Sequence, residues 1–353
     1  MKSTTIKFDF DDMLIVPKIS TEITSRYKDI VLPEILPIFT APMDTVVNLN
    51  NKDIFLNNKI RVTLPRTIAF EQIPAKENVH NFFISLGLDD IEKQYRTNFG
   101  RFYQGQHILI DVANGHMQKI VDICRELKRL RPDITIMVGN IGNPETYSWY
   151  AKNNCVDFIR VGIGNGSGCL TTKQSGVGHP MASLIYEVFQ EKLLYVFDHK
   201  DEPNLKVPAI VADGGMKDFS DIIKAFALGA DYVMIGSIFN KALESCADNY
   251  LFNIKVSEKT AKLFFDMKLP VMKHFRGMST KVAQKAMGKT SFKTSEGVVR
   301  YRRVEYHLKG WVENFEHYLR NAMSYADAKT LDDFIGKVDI CQITKNAYDR
   351  FNK

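Results

Sequence analysis

Residues 158–172 read FIRVGIGNGSGCLTT, and the two halves of this stretch have different characters. Phe158 to Ile163 is a short apolar run with almost no polar alternation, as expected of a strand buried on both faces of a parallel sheet. From Gly162 to Gly168 every second residue is glycine, and the chain then presents Cys169 among hydroxyl-bearing side chains. A buried strand running straight into a turning, reactive loop is the unit from which α/β barrels build their sites.

The same unit recurs along the chain. Apolar runs lie at Pro37 to Ala41, Ile60 to Leu64, Phe82 to Leu86, His107 to Val112, Thr135 to Val138, Phe158 to Ile163, Ala209 to Ala212 and Tyr232 to Ile235. Amphipathic helical stretches separate many of them. Met117 to Leu130 places Ile120, Val121, Ile123, Cys124 and Leu127 on one side, Pro144 to Ala151 opens with Pro after Asn143, and Asp218 to Leu228 carries Ile222, Ile223, Ala225 and Phe226. Strands alternating with helices indicate a (β/α)8 TIM barrel or a doubly wound sheet, and eight strands favour the barrel. A single barrel spanning residues 1–353 is expected. The polar, basic segment Lys268 to Lys309, after the eighth strand, reads as a mobile active-site flap.

The strand ends run repeatedly into small or polar residues: TAPMDT, DVANG, GNIGN, VGIGNGSGC, VADGG and MIGS. In a barrel these ends share one face, so together they describe a site. The net charge of +6 is mild, and the basic residues are spread along 353 positions. That fits an anionic small molecule, or plain surface lysine, better than nucleic acid. Five cysteines with no CxxC pair argue against a disulfide framework or a zinc site. The N-terminus lacks a signal-peptide run and no stretch is long and apolar enough for a membrane helix. The expectation is a cytoplasmic protein that binds no membrane.

Cys169 is the nucleophile candidate, because a thiolate in a strand-end loop of glycines and hydroxyls can be stabilised and reached. Thr171 lies two residues on, placed for proton relay. The loop's carbonyls could ligate a monovalent cation. In VADGGM, Asp213 could accept hydrogen bonds from ribose hydroxyls, while Gly214 and Gly215 let backbone amides approach a phosphate. Gly236 and Ser237, before an expected helix from Phe239 to Cys246, add to a phosphate site after strands seven and eight. Asp111 and Asn114 could orient a cofactor amide.

Taken together, FDFDDMLIVPKIS, APMDTV, GNI, VGIGNGSGC, ADGG, MIGS and RGMST resemble the IMP dehydrogenase and GMP reductase family over nearly the whole chain. The resemblance implies a barrel, commonly a homotetramer, whose cysteine attacks carbon 2 of a purine nucleoside monophosphate. It assigns Cys169, Thr171 and Glu296 to catalysis. Ser167, Asp213, Gly214, Gly215, Gly236, Ser237, Gly277, Met278, Ser279 and Gly297 would hold the substrate. Ser25, Arg26, Asp111, Val112, Ala113 and Lys293 would hold the cofactor, and the carbonyls of Gly164, Gly166 and Cys169 a potassium ion.

Within the family the chain is closer to the reductases. It has no room for the inserted regulatory (CBS) domain, it carries DVANG and GMSTKVAQKAM, the stretch Lys281 to Ser295 just before Glu296 contains no Arg, and the pair Arg300-Tyr301 falls after Glu296. The implied reaction is NADPH-dependent reductive deamination of GMP, or a related purine nucleotide, to IMP and ammonia. The alternative is an IMP dehydrogenase without the regulatory domain, using NAD and water, with Arg300 or Arg302 as water activator. A third reading is a non-catalytic nucleotide-binding barrel. The chain departs from the family pattern at Leu170 (commonly Thr), at Arg66 in VTLPRT (in place of a His-Lys pair) and at Lys293 (in place of Arg), while APMDTV is closer to the dehydrogenases.

Overall fold

Side chains along the central strands alternate between two hydrophobic cores, which is why so little polar alternation appears in the sequence. The strands are β1 (Ile38–Thr40), β2 (Val62–Leu64), β3 (Phe82–Leu86), β4 (His107–Asp111), β5 (Thr135–Ile141), β6 (Phe158–Val161), β7 (Ala209–Asp213) and β8 (Tyr232–Ile235). Phe39, Phe83, Leu109, Met137, Val211 and Met234 pack inside the sheet. Their chain neighbours Ile38, Ile84, Ile108, Ile136, Ile210 and Val233 face the layer between strands and helices. A strand buried on both faces has no solvent side to mark with polar residues.

The computed structural model describes residues 5–73, 82–97, 105–278, 280–286 and 299–351. Its eight-stranded sheet has the order β1-β8-β7-β6-β5-β4-β3-β2, with parallel neighbours throughout. The last edge closes through residue 61: Thr40 N donates to Arg61 O and Arg61 N to Ile38 O, both at 2.9 Å. This is the (β/α)8 barrel expected from the strand count. Helices Gln118–Leu130, Glu145–Lys152, Met181–Asp198, Phe219–Ala227 and Leu308–Tyr325 lie on its outside. None is long and apolar enough to cross a membrane among the described residues.

Two aspartates pin the starts of the strands at the face opposite the loops discussed below. Asp157 accepts the Ile136 amide at 2.7 Å and ion-pairs with Lys128 and Lys206. Asp231 accepts the Ile210 amide at 2.7 Å and pairs with Lys192. Each carboxylate satisfies an edge amide of the neighbouring strand, which fixes register where no loop does.

Beyond β8 the expected helix Phe239 to Cys246 is one turn only, Ser237–Asn240. The Asn240 carbonyl is taken by Ser245 Oγ at 3.0 Å, and Lys241 and Ala242 donate three residues back, so the ladder tightens and stops. The chain then forms an antiparallel sheet of Asn249–Leu251, Ile254–Val256, Met272–Arg276 and Val299–Arg303. The basic segment from Lys268 to Lys309 thus contains two paired strands, with Met272 opposite Arg303 and Arg276 opposite Val299. Arg276 anchors this sheet to the barrel through an ion pair with Asp44.

The barrel interior is aromatic at its lower end. Phe39 meets Phe83 edge-on at 5.5 Å and Phe158 at 6.1 Å, and is 1% exposed. Phe39→Ala is expected to destabilise the protein by about 3–5 kcal/mol. A urea titration should show a lower midpoint with an unchanged slope.

Candidate active site

A cavity of about 290 Å³ opens at the C-terminal ends of the barrel strands. Its floor is built from charged side chains that the strands aim inward. Arg160, in the middle of β6, donates from Nη1 to Asp111 Oδ1 at 2.7 Å and from Nη2 to Asp213 Oδ2 at 2.5 Å. Arg66, after β2, completes the other side of Asp111, with Nε 3.0 Å from Oδ2. Asn140 of β5 donates from Nδ2 to Asp213 Oδ2 and to the Gly162 carbonyl, both at 2.8 Å.

Burial opposes the charge on Asp111, but the Arg160 and Arg66 guanidiniums outweigh it and hold the carboxyl below its usual range. Burial likewise opposes the charge on Arg160, and Asp213 and Asp111 overcome it. The floor is therefore ionised and neutralised internally. Asp213 Oδ1 makes no hydrogen bond among the described residues, and Asp213 lines the cavity. That leaves an acceptor for a hydroxyl pair.

The loop after β6 forms the wall. The Cys169 thiol is half-buried and lies 3.2 Å from Thr171 Oγ1, which opens the short helix Thr171–Ser175. The loop is held in a tight coil: Cys169 N donates to the Gly166 carbonyl at 2.9 Å. Gly164 has φ +82°, and a Cβ there would sit 1.8 Å from Thr172 Oγ1, so only glycine permits this path. Gly214, at φ +91°, lets the β7 loop approach the same coil, where a Cβ would come 3.2 Å from Gly166 Cα. Phe275, 1% exposed, backs the coil at Gly168.

The cavity brings together most of the residues that the sequence singled out. Ser167, Cys169, Thr171, Asp213, Gly214, Gly215, Gly236, Ser237, Gly277 and Met278 all line it, as do Gly164, Gly166, Asp111, Val112 and Ala113. Ser25 and Arg26 do not. They lie on an exposed turn, where Ser25 N donates to Asp29 Oδ2 at 2.8 Å and the Arg26 carbonyl accepts from Arg320 Nη1 at 3.0 Å. Ser279, Lys293, Glu296 and Gly297 lie outside the described residues.

A family model for the IMP dehydrogenase / GMP reductase domain matches residues 103–350. The chain belongs to this family. Among curated proteins, GMP reductase of Caenorhabditis elegans is 29% identical, covering 98% of this chain and 94% of the relative. GMP reductase 2 of Bos taurus is 28% identical over 88% of this chain and 85% of the relative. GMP reductase 2 of Homo sapiens is 27% identical over 99% and 97%.

Arg160 and Asn140 escaped the sequence reading, although the sequence carries a signal for Arg160: it interrupts an otherwise apolar strand, FIRV. A charge in a strand buried on both faces must meet opposite charges inside the barrel. The carboxylates at the ends of β4 and β7 were the available partners.

Removing Arg160 leaves Asp111 with Arg66 alone and Asp213 with only the neutral Asn140 amide. Arg160→Met is expected to cost about 3–5 kcal/mol at neutral pH. In the wild type, Asp111 titrates below its ordinary value of 3.8. Its stabilisation is therefore fully present above that pH and is lost as pH falls through the folded value. In the variant the Asp111 carboxyl, left with Arg66 alone against its burial, titrates above its wild-type value. Lowering the pH toward 5 should then shrink the deficit, which denaturation at the two pH values would measure.

Proposed function

We propose that this chain catalyses the NADPH-dependent reductive deamination of GMP, or a closely related purine nucleoside monophosphate, to IMP and ammonia. The observation that carries the reading is the Cys169 Sγ to Thr171 Oγ1 contact at 3.2 Å, in a cavity whose opposite loops offer Asp213 and four glycine or serine backbones.

In this reading the Cys169 thiolate adds to carbon 2 of the purine. The exocyclic amine leaves as ammonia, taking a proton relayed by Thr171 with Glu296. A covalent bond then joins sulfur to carbon 2. Asp213 holds the ribose through its free oxygen, and the amides of Gly214, Gly215, Gly236 and Ser237 hold the phosphate. Met278, with Gly277, Ser279 and Gly297, bounds the base. After carbon 2 is reduced, the sulfur leaves as thiolate and the nucleotide is released. The sum is GMP, NADPH and a proton giving IMP, NADP and ammonia.

NADPH supplies the hydride. Asp111, Val112 and Ala113 fit its carboxamide end, because the Asp111 carboxylate is kept ionised and fixed in orientation by two arginines. Ser25, Arg26 and Lys293 are assigned to it by resemblance. The carbonyls of Gly164, Gly166 and Cys169 fit a potassium ion. They are neutral oxygen donors on one tight coil, and the bound charge would stiffen the loop carrying the nucleophile. We assign residues 268–309 to an active-site flap, and the protein to a cytoplasmic homotetramer.

The test is absorbance at the reduced-nicotinamide band with potassium present, run with GMP and NADPH and, separately, with IMP and NAD. Consumption of NADPH with release of ammonia and IMP is expected. Cys169→Ala should lower the rate on the order of 10³-fold or more. Production of NADH and XMP instead would establish the dehydrogenase reading, and silence in both directions the non-catalytic one.

A further inference from the structure

The charges around the cavity do not balance on every side. Arg160 and Arg66 are matched by Asp111 and Asp213, and Arg276 is matched by Asp44. Arg302 is different. It stands on the strand Val299–Arg303, half-buried, with Nη2 donating to Ser167 Oγ at 3.0 Å. Its guanidinium lies over the Phe275 ring, 4.2 Å from the centroid. Among the described residues no carboxylate reaches it within ion-pair distance. Glu305, on the same segment, is bound to Lys241 at 3.0 Å. Burial, and then the nearby Arg300, push the Arg302 guanidinium down from its usual value.

A half-buried cation held in place by an aromatic face, with one hydrogen bond to a neutral hydroxyl, is short of an anion. The hydroxyl it meets belongs to the cavity wall. Ser167 follows Gly166, and it is Gly166 that Gly214 of the β7 loop approaches. Arg302 therefore reaches the cavity at the edge where the two glycine loops meet. A guanidinium presents a planar fork of donors suited to phosphate oxygens.

We propose that Arg302 is a phosphate-binding residue, and that it makes the cavity select nucleoside monophosphates over nucleosides. The inference rests on the reading of the glycine loops as the phosphate end, and it adds a charged donor to a subsite otherwise made of backbone amides and hydroxyls. Phe275 positions the guanidinium from below, and Ser167 holds it until the phosphate arrives.

Calorimetry on the full-length protein tests this with GMP and guanosine as paired probes, on wild type, Arg302→Gln and Arg302→Lys. The expected result is that wild type binds GMP far more tightly than guanosine. Arg302→Gln should lose roughly tenfold to hundredfold in GMP affinity with guanosine unchanged, and Arg302→Lys should recover part of the loss. Equal loss of both ligands in Arg302→Gln would overturn the proposal, because the residue would then only shape the loop. So would unchanged GMP affinity with a fallen turnover rate, which places the guanidinium at the reacting atoms. If wild type itself binds guanosine as tightly as GMP, the phosphate reading of the glycine loops fails and this inference with it. Discrimination by wild type that survives intact in Arg302→Gln removes Arg302 alone.

Discussion

The ion network of Arg160 with Asp111 and Asp213 fixes where everything else in the mouth of the barrel can be. Three strands contribute to it directly, β4, β6 and β7, and Asn140 adds β5 through the shared Asp213 oxygen. A buried guanidinium carries a desolvation cost that only close, well-oriented carboxylates offset. The two aspartates are thereby held at fixed positions, each at the end of its strand. The loops that follow them inherit those positions. The Gly162 carbonyl, bonded to Asn140, starts the coil that carries Cys169. The place of Cys169 is thus set from beneath by electrostatics and from beside by Phe275.

Such a network is a poor way to gain stability, since apolar residues of similar volume could do as well. What it provides is orientation. Asp213 has one oxygen occupied by Arg160 and Asn140, and the other faces the cavity without a partner among the described residues. A carboxylate held by one oxygen presents the second in a defined direction, which is what a pair of sugar hydroxyls requires. Asp111 is held by both oxygens, and its service to a ligand is that of a fixed charge.

The barrel was legible because its physics is repetitive. Eight apolar runs, six of them entering small or polar residues, state both the sheet and the face that carries the site, and every run became a strand. Cys169, Thr171 and Asp213 were legible for the same reason, since strand-end loops are where such residues are useful. The network beneath them was not, because it pairs residues from strands distant in sequence: position 160 meets 111 and 213. Local pattern records that Arg160 breaks an apolar strand and is silent on which carboxylates receive it. The single turn at Ser237–Asn240 was misread as a longer helix because the Ser245 hydroxyl, five residues on, takes the carbonyl that would have extended it. The antiparallel sheet at the ends of the basic segment escaped notice because VMKHFR and VVRYRR are too polar to look like buried strands. They pair along an exposed ridge, with alternate residues such as Lys273 and Phe275 turned inward.

The placement of that sheet matters chemically. A barrel supplies its site from loops, and loops of glycine supply backbone donors that carry no net charge. With the floor neutralised internally, the mouth alone offers little attraction to an anion. The sheet brings side chains across the open side: Phe275 and Met278 as apolar surface, Arg276 spent on Asp44, and Arg302 with no carboxylate partner among the described residues. Neutral floor and charged rim divide the work. The floor offers fixed dipoles and a single open carboxylate oxygen, with its guanidinium and carboxylate charges equal in number. Under the proposal for Arg302, the rim is what selects a phosphate-bearing ligand. In a protein whose overall charge is only mildly positive, that selection has to come from a local, partly desolvated cation, because surface charge spread over the chain is screened within about 10 Å at ordinary ionic strength.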